Sequence, residues 1–311
     1  MSKISVAMTT YNGEKYIIPQ LYSVLNQSVK PDEVIICDDC STDSTVSLIN
    51  EFINENKLTN FRLISNENNL GYIKNFRKAI SLTSGDIIFI CDQDDIWQED
   101  KIKIMAELME NNKEIKALAS AYKLIDAEGN EIKGDSEKFY NPKGSSLLSK
   151  VNYGKSLYYN IAQGCAEAVS SDIAKAYCQS TAAILPHDWA LNLLAYEKGG
   201  LYFINRELLL YRLHGNNTTG ISDKGASVEE RIPRLKSYAA YMRDIINLPL
   251  QKESQGEYLS IASLTEHRIN FLTEKRLSSY IKGFFKHFTV IRRYFFMTYL
   301  KDLYLVLLRK I

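Results

Sequence analysis

The residues with the clearest chemical potential are the four consecutive polar residues Asp92-Gln93-Asp94-Asp95. Three carboxylates this close repel one another unless a cation or several hydrogen-bond donors offset the repulsion. Mg²⁺ and Mn²⁺ prefer carboxylate oxygens and keep coordination positions open for a diphosphate. A solvated acidic turn is the alternative, but the apolar residues Ile87 to Ile90 and Ile96-Trp97 on either side disfavour it. The motif therefore predicts a site for Mn²⁺ or Mg²⁺.

Alternating strands and helices must position these carboxylates. The first 110 or so residues contain four apolar runs typical of strands, each followed by apolar residues at helical spacing. The predicted strands are 4–8, 33–37, 61–64 and 86–90, and the fourth helix is expected from about 99 to 109. This alternation predicts a parallel sheet covered by helices on both faces. Because ligands bind beyond the carboxyl ends of such strands, the loops at 9–12, 38–39, 66–69 and 91–95 are expected to form one site.

The pattern weakens after residue 115. A strand is predicted at 117–123, loops at 127–155, and short strands with a helix at 160–213. Helical spacing returns at about residue 226 and continues to the end of the chain.

Composition narrows the class of protein. The 311 residues are 45% hydrophobic and 24% charged with a net charge of +1, which is typical of a folded soluble protein and gives no bulk attraction to nucleic acid. Five cysteines in mostly apolar surroundings predict reduced thiols, and the Cys37-x-x-Cys40 pair lacks a second pair at zinc spacing. Without a secretory leader or a stretch of about 20 apolar residues, the chain is expected to be cytoplasmic.

Taken together and in order, five motifs resemble the family 2 glycosyltransferases of the GT-A fold. They are Thr9-Thr10-Tyr11-Asn12-Gly13-Glu14, Ser23-Val24-Leu25-Asn26-Gln27-Ser28, Asp38-Asp39-Cys40-Ser41-Thr42-Asp43, Asn68-Asn69-Leu70-Gly71 with Lys74-Asn75, and Asp92-Gln93-Asp94-Asp95-Ile96-Trp97. The resemblance implies an α/β fold with a mostly parallel sheet flanked by helices and a helical C-terminal extension. It implies a catalytic domain at 1–225, with a nucleotide-sugar half at about 1–115 and an acceptor half at about 116–225. The helical region would occupy 226–311.

By the same resemblance, the donor is a nucleoside diphosphate-sugar. Thr9, Tyr11, Glu14, Lys74 and Asp92 would contact this donor, with Lys74 facing phosphate and Asp92 near the ribose. Asp39 would accept the imide N–H of a uracil or thymine base.

The resemblance also assigns the metal and the base. Asp94 and Asp95 would bind the metal that bridges the diphosphate, and His214 is a further candidate ligand or diphosphate contact. Asp188 would be the catalytic base of an inverting transfer, taking the proton of the acceptor hydroxyl. A helix N-cap is the alternative role for Asp188, and the two roles can coexist.

Two further segments bear on the substrates. Residues 211–217 resemble rhamnosyltransferase-like members, which indicates a dTDP-rhamnose donor, with UDP-hexoses as alternatives. The segment Gln163-Gly164-Cys165 is expected on the acceptor side, with simple packing as an equal explanation. The chain lacks a Q-x-x-R-W element, which disfavours a processive synthase and favours the addition of one or a few sugars.

The C-terminal tail is basic and aromatic. Residues 281–311 contain seven Lys or Arg and one Asp. The aromatic residues recur at helical spacing, which predicts an amphipathic helix on the inner face of the plasma membrane, beside a lipid-linked glycan acceptor. The alternatives are packing on the catalytic domain or on a partner chain, so a homo-oligomer stays open.

Sugar-phosphate nucleotidyl transfer and sugar or nucleotide binding without catalysis are the competing functions.

Overall fold

The computed structural model describes residues 2–132, 147–151, 160–215 and 228–308. The chain divides into two compact units. The N-terminal unit comprises Met1–Ser180 and Pro186–Asn217, and the C-terminal unit comprises Thr181–Leu185 and Thr218–Ile311. Most of the predicted loop region 127–155 lies outside the described residues. Over the described ranges, no helix combines the length and the apolar character needed to span a membrane.

The first part of the N-terminal unit is a parallel β/α arrangement, as predicted. Its strands are β1 (Ile4–Thr10), β2 (Glu33–Asp38), β3 (Phe61–Ser65) and β4 (Ile87–Cys91), separated by α1 (Ile17–Leu25), α2 (Thr45–Glu55) and α3 (Tyr72–Ser81). Strand β1 pairs in parallel with both β2 and β4, and β2 pairs in parallel with β3. All seven residues of β1 are buried because both faces of the sheet are covered.

The second part of this unit is mixed. It contains β5 (Ile96–Trp97), α4 (Lys101–Asn111), β6 (Ala117–Ile125), β7 (Leu148–Lys150), β8 (Glu167–Ser170), α5 (Ser171–Gln179), α6 (His187–Glu197) and β9 (Leu201–Arg212). The sheet order is β3-β2-β1-β4-β8-β6-β9-β5, with β7 also on β9. Strand β8 runs antiparallel to β4 and β6. One helix among short strands was predicted for 160–213, whereas the described residues form the short strand β8, the two helices α5 and α6, and the long strand β9 there.

The C-terminal unit is helical, which confirms the predicted extension. Its helices are α7 (Val228–Asp244), α8 (Lys252–Glu274), α9 (Leu277–Lys286), α10 (Phe288–Val290) and α11 (Phe296–Leu308). Asp302 joins three of them, because its carboxylate bonds to Arg231 at 2.9 Å and to Arg268 at 2.6 Å. All three charged side chains are buried.

Candidate active site

The carboxyl ends of β1, β2 and β4 meet at the centre of the sheet. The chain passes from β1 to β2 on one side, and β4 lies on the other side of β1. Such a reversal of strand order opens a crevice in which α/β sheets bind ligands. The loops that leave these three strands carry the predicted site residues, so the fold places the motifs at one location.

Gln93 fixes the loop after β1. Its side chain accepts a hydrogen bond from the N–H of Tyr11 at 2.8 Å and donates one to the carbonyl of Tyr11 at 3.0 Å. A Cβ atom at Gly13 would lie 2.2 Å from the Gln93 Oε1 atom, so a larger residue there would displace the Gln93 side chain. Tyr11 is 48% exposed, so this residue is accessible to a ligand.

Thr9 and Glu14 lie on either side of this loop. Thr9 is buried within β1, opposite Cys37 of β2. The Glu14 carboxylate accepts a hydrogen bond from the N–H of Ser44 at 2.9 Å, immediately before α2. Glu14 therefore connects the loops after β1 and β2, and its contact with a donor stays a prediction.

Asp39 organises the loop between β3 and α3. Its carboxylate accepts hydrogen bonds from the N–H groups of Leu70 at 2.7 Å and Gly71 at 2.8 Å, and from the Asn66 amide at 2.9 Å. Gly71 has a φ of +80°, which glycine adopts without strain. An imide N–H of a base would be a fourth donor to this buried carboxylate.

A lysine that the sequence reasoning missed lies beside this network. Lys78 donates a hydrogen bond to the Asn66 side-chain oxygen at 2.7 Å, whereas the predicted Lys74 is exposed on the same helix. Lys78 follows Lys74 by four residues, one helical turn further along α3. This four-residue spacing indicates from the sequence alone that both lysines lie on the same face of α3, so either could be near this site.

The structure pairs Asp94 with His214 and holds Asp95 against the backbone of Arg212, two residues before His214. Oδ2 of Asp94 lies 2.8 Å from Nε2 of His214, whose ring stacks on Tyr16 with centroids 4.9 Å apart. One oxygen of Asp95 accepts a hydrogen bond from the N–H of Arg212 at 3.0 Å. Its other oxygen is buried and, among the described residues, has no N–H or O–H donor, with only the weakly donating thiol of Cys165 beside this carboxyl group. A buried carboxylate oxygen without such a donor fits a cation ligand.

Asp92 and Cys165 complete this acidic cluster. Potential ligand atoms of Asp92, Asp95 and Cys165 all lie within 4.8 Å of one another. Burial, with the neighbouring charge of Asp94, raises the pKa of Asp95 to about 7. Burial and the charges of the other acidic residues also raise the pKa of Asp92. The donor set therefore suits a divalent cation, and Cys165 is a potential ligand that was not predicted.

A buried lysine adjoins the cluster. Lys101 is fully buried, donates a hydrogen bond to the carbonyl of Cys165, and lies 4.0 Å from the centroid of the Trp97 ring. Burial lowers its pKa to about 8. Gln27 fixes the start of this helix by accepting the N–H of Ile102 at 2.9 Å, which gives the Ser23–Ser28 motif a structural role.

Asp188 lies in the first turn of α6. Pro186 occupies the N-cap position, so the alternative role of Asp188 as the cap is wrong. One carboxylate oxygen accepts a hydrogen bond from the Asn160 amide at 2.7 Å, and the other accepts the N–H of Trp189 at 2.8 Å. Burial raises the pKa of Asp188 to about 6. The charge of Asp188 also raises the pKa of Asp92, so the two carboxylates lie within electrostatic reach.

The surroundings of Asp188 are closely packed. A Cβ atom at Gly164 would lie 2.6 Å from Nε2 of His187, which supports the packing explanation for this glycine. Glu167 is fully buried, and neither of its carboxyl oxygens has a hydrogen-bond partner in the described part of the chain. Burial, together with the charge of Asp188, raises the pKa of Glu167. Sequence reasoning gave no indication of this second carboxyl group.

This sheet, with its acidic cluster and adjacent buried carboxylate, defines the class of protein. Residues 5–165 match the family model described as Glycosyl transferase family 2, and because the match covers more than half of the chain, the protein belongs to that family.

Several curated relatives are similar over most of the chain. An uncharacterized glycosyltransferase of Haemophilus influenzae is 27% identical, with 70% of this chain and 68% of the relative aligned. The dTDP-rhamnosyl transferase RfbG of Shigella flexneri is 29% identical over 77% of this chain and 83% of its own length. An Escherichia coli glucosyltransferase, WfgD, is 31% identical over 53% of this chain and 59% of its own length.

Solved structures share the fold. S. aureus TarS 1-349 in complex with UDP superposes with a TM-score of 0.56 at 20% identity, covering 86% of this chain and 72% of the TarS 1-349 chain. The mannosyltransferase PcManGT from Pyrobaculum calidifontis, in complex with GDP-Man and Mn²⁺, gives 0.57 at 15% identity, covering 91% of this chain and 75% of that protein. These similarities confirm the GT-A type fold predicted from the sequence.

Proposed function

We propose that this protein is an inverting, metal-dependent glycosyltransferase. It moves rhamnose or a hexose from a dTDP- or UDP-sugar to a growing, lipid-linked surface polysaccharide at the cytoplasmic face of the membrane. The observation that carries the proposal is the position of Gly164 and Cys165 between Asp188 and the acidic cluster. A Cβ atom at Gly164 would lie 3.4 Å from the Cβ of Asp188, and the thiol of the next residue, Cys165, lies within 4.8 Å of ligand atoms of Asp92 and Asp95. One site would thus offer ligands for the metal that stabilises a leaving diphosphate, and a base for an incoming hydroxyl.

Each part of the site has one task in this reaction. Asp94, Asp95 and His214 would bind the metal, with Asp92 and Cys165 beside it. When bound, the metal neutralises the charge that develops on the leaving diphosphate. Asp188 accepts the proton of the acceptor hydroxyl. At the same time the hydroxyl oxygen bonds to the anomeric carbon of the donor sugar, and the bond from that carbon to the diphosphate breaks. Attack opposite the leaving group inverts the anomeric configuration.

The nucleotide side of the site supports a pyrimidine donor. Thr9, Tyr11 and Glu14 belong to the loop beside the crevice, and Lys74 lies on the helix that begins at the Asp39 network. The carboxylate of Asp39 suits the imide N–H of uracil or thymine. RfbG, named a dTDP-rhamnosyl transferase, supports a rhamnose donor, and WfgD, named for UDP-Glc, supports the hexose alternative.

A lipid-linked acceptor agrees with the surface of the C-terminal unit. WfgD is named for a diphosphoundecaprenol acceptor, which is a lipid diphosphate. Large apolar side chains are exposed from the start of α9 onward, namely Leu277, Ile281, Phe285, Phe288, Phe296, Met297, Leu300 and Tyr304. Lys282, Lys286, Arg292 and Lys301 are exposed among them. Such a surface suits the headgroup region of an anionic membrane. Other tail aromatics, such as Phe295 and Tyr299, are buried in the unit instead.

The direct test is donor turnover. The purified protein is incubated with Mn²⁺ and a panel of dTDP- and UDP-sugars without acceptor, and slow release of nucleoside diphosphate is measured. We expect release from one donor, loss of release in Asp94→Ala, and normal release in Glu99→Ala, which removes an exposed acid outside the cluster. Donor binding without release, even with an added lipid-linked acceptor, would favour a non-catalytic binding protein. Turnover unchanged in Asp94→Ala would contradict the metal assignment.

A further inference from the structure

Lys101 occupies an unfavourable position for a cation. It is the first residue of α4 and is fully buried. The amino end of a helix carries a partial positive charge, and burial removes the hydration of an ammonium group. A lysine in this position needs compensation from nearby groups.

The direct partners of the ammonium group are neutral. They are the carbonyl oxygen of Cys165 and the face of the Trp97 ring. The opposite charge comes from the acidic cluster, because the thiol of Cys165 lies within 4.8 Å of the carboxylates of Asp92 and Asp95. Cys165 therefore lies between the two groups: its carbonyl bonds to the lysine, and its thiol lies within 4.8 Å of ligand atoms of the two aspartates.

We propose that Lys101 is the internal counter-cation of the acidic cluster and couples metal binding to diphosphate binding. This inference rests on the proposed function, because it assigns a positioning role within the proposed metal site. Lys101 balances the carboxylates when no divalent cation is bound, and it weakens the binding of a divalent cation alone.

The formal charges explain the coupling. With Lys101 charged, the charges of the three aspartates, the lysine and a divalent cation cancel, so the loaded site accepts an anionic diphosphate. Without the lysine, the loaded site keeps one negative charge and repels the diphosphate. Lys101 is therefore expected to weaken the binding of the metal alone and to strengthen the binding of the diphosphate to the metal-loaded site.

The test is a pair of binding measurements on Lys101→Met, which keeps an apolar side chain against Trp97. Mn²⁺ binding without nucleotide is followed by electron paramagnetic resonance, and UDP and dTDP binding at saturating Mn²⁺ is followed by calorimetry. We expect Mn²⁺ alone to bind at least about tenfold tighter and the nucleoside diphosphate at least about tenfold weaker. Lys103→Met, an exposed position on the same helix, should change either affinity by less than about twofold.

Opposite changes in the two affinities separate this role from a structural one. If Lys101 only supports the fold, both affinities fall together or neither changes, and either result overturns the inference. Absence of Mn²⁺ binding in every variant also overturns it. If the wild-type protein turns over donor but Lys101→Met does not show the opposite changes, this inference alone fails. If the opposite changes are observed but the wild-type protein does not turn over donor, the proposed function alone fails.

A second measurement covers the case in which Lys101→Met is unstable. The thermal midpoint is measured in EDTA for Lys101→Met, Asp95→Asn and the double variant. Charge compensation predicts that Asp95→Asn restores most of the midpoint lost in Lys101→Met, because it removes one of the carboxylates that lost its counter-cation. If the decrease in midpoint of the double variant equals the sum of the changes in the single variants, Lys101 contributes only its hydrogen bond to Cys165. The inference then fails.

Discussion

Two groups of buried charges in this protein are built in opposite ways. In the C-terminal unit, Arg231 and Arg268 bond to both oxygens of Asp302, and all three side chains are buried. In the N-terminal unit, three aspartates lie together, and one buried oxygen of Asp95 has no N–H or O–H donor in the described residues. Removing a fully paired buried carboxylate destabilises a fold because its partners keep an uncompensated charge, whereas carboxylates that repel one another provide a site for a cation.

The largest expected effect is on turnover in Asp188→Asn. The amide cannot accept the proton of the acceptor hydroxyl, so the transfer rate should fall by about 10³- to 10⁴-fold. Donor affinity should change little, because Asp188 acts on the acceptor. Steady-state transfer and donor titration measure the two quantities, and a variant with near wild-type turnover would exclude Asp188 as the base.

The second-largest effect is expected for Asp95→Asn, which should lower turnover without lowering stability. Asp95→Asn should lower donor turnover by on the order of 10³-fold, since it weakens stabilisation of the leaving diphosphate. Its thermal midpoint in EDTA should stay within about 3 °C of the wild-type value or rise, because one of the repelling charges is removed. A large loss of stability with retained turnover would contradict this prediction and would make the acidic cluster a structural element instead of a cation site.

The opposite result is expected for Asp302→Asn. This change leaves Arg231 and Arg268 without their buried counter-charge, which costs about 3 to 5 kcal/mol of unfolding free energy. Denaturant unfolding measures the loss. Donor hydrolysis per folded molecule should stay near the wild-type value at low temperature. If this variant unfolds like wild type, the paired cluster does not stabilise the C-terminal unit.

The pH dependence should report the state of Asp188. A base must be deprotonated to act, and burial raises the pKa of Asp188 to about 6. Protonation of Asp188 should therefore lower the transfer rate about tenfold for each pH unit below about 6. The residual rate of Asp188→Asn should lack this decline. The same acidic decline in that variant would assign the titration to another group.

The smallest effect is expected for Glu14→Gln. The carboxylate bonds to the N–H of Ser44, and the neutral amide makes a weaker hydrogen bond, so unfolding free energy should fall by about 1 kcal/mol. Donor KM should rise by less than about fivefold, because the loop moves only slightly. A much larger rise in KM with unchanged stability would indicate direct contact between Glu14 and the donor.

The sequence predicted the parts of the site that follow strands. Apolar runs and helical spacing located β1 to β4, and the polar residues after them had to converge because parallel strands end at one edge. Asp94 and His214 are 120 residues apart in sequence, yet the structure places them 2.8 Å apart. Their pairing was implied by a family motif and not by local pattern.

The parts that the sequence did not predict depend on burial and long-range packing. Lys101 looks like an ordinary helical lysine, and Glu167 like an exposed strand residue, until the surrounding elements enclose them. The thiol of Cys165 joins the acidic cluster only because β8 and its preceding turn pack beside β4. No periodicity in a single segment encodes these contacts.

Anomalous diffraction from crystals grown with Mn²⁺ and UDP or dTDP would test the metal site most directly. The account predicts a manganese peak within roughly 2.0 to 2.3 Å of a carboxylate oxygen of Asp95 or Asp94, bridged to the diphosphate. A nucleotide bound without manganese at these carboxylates, or manganese bound elsewhere, would contradict it.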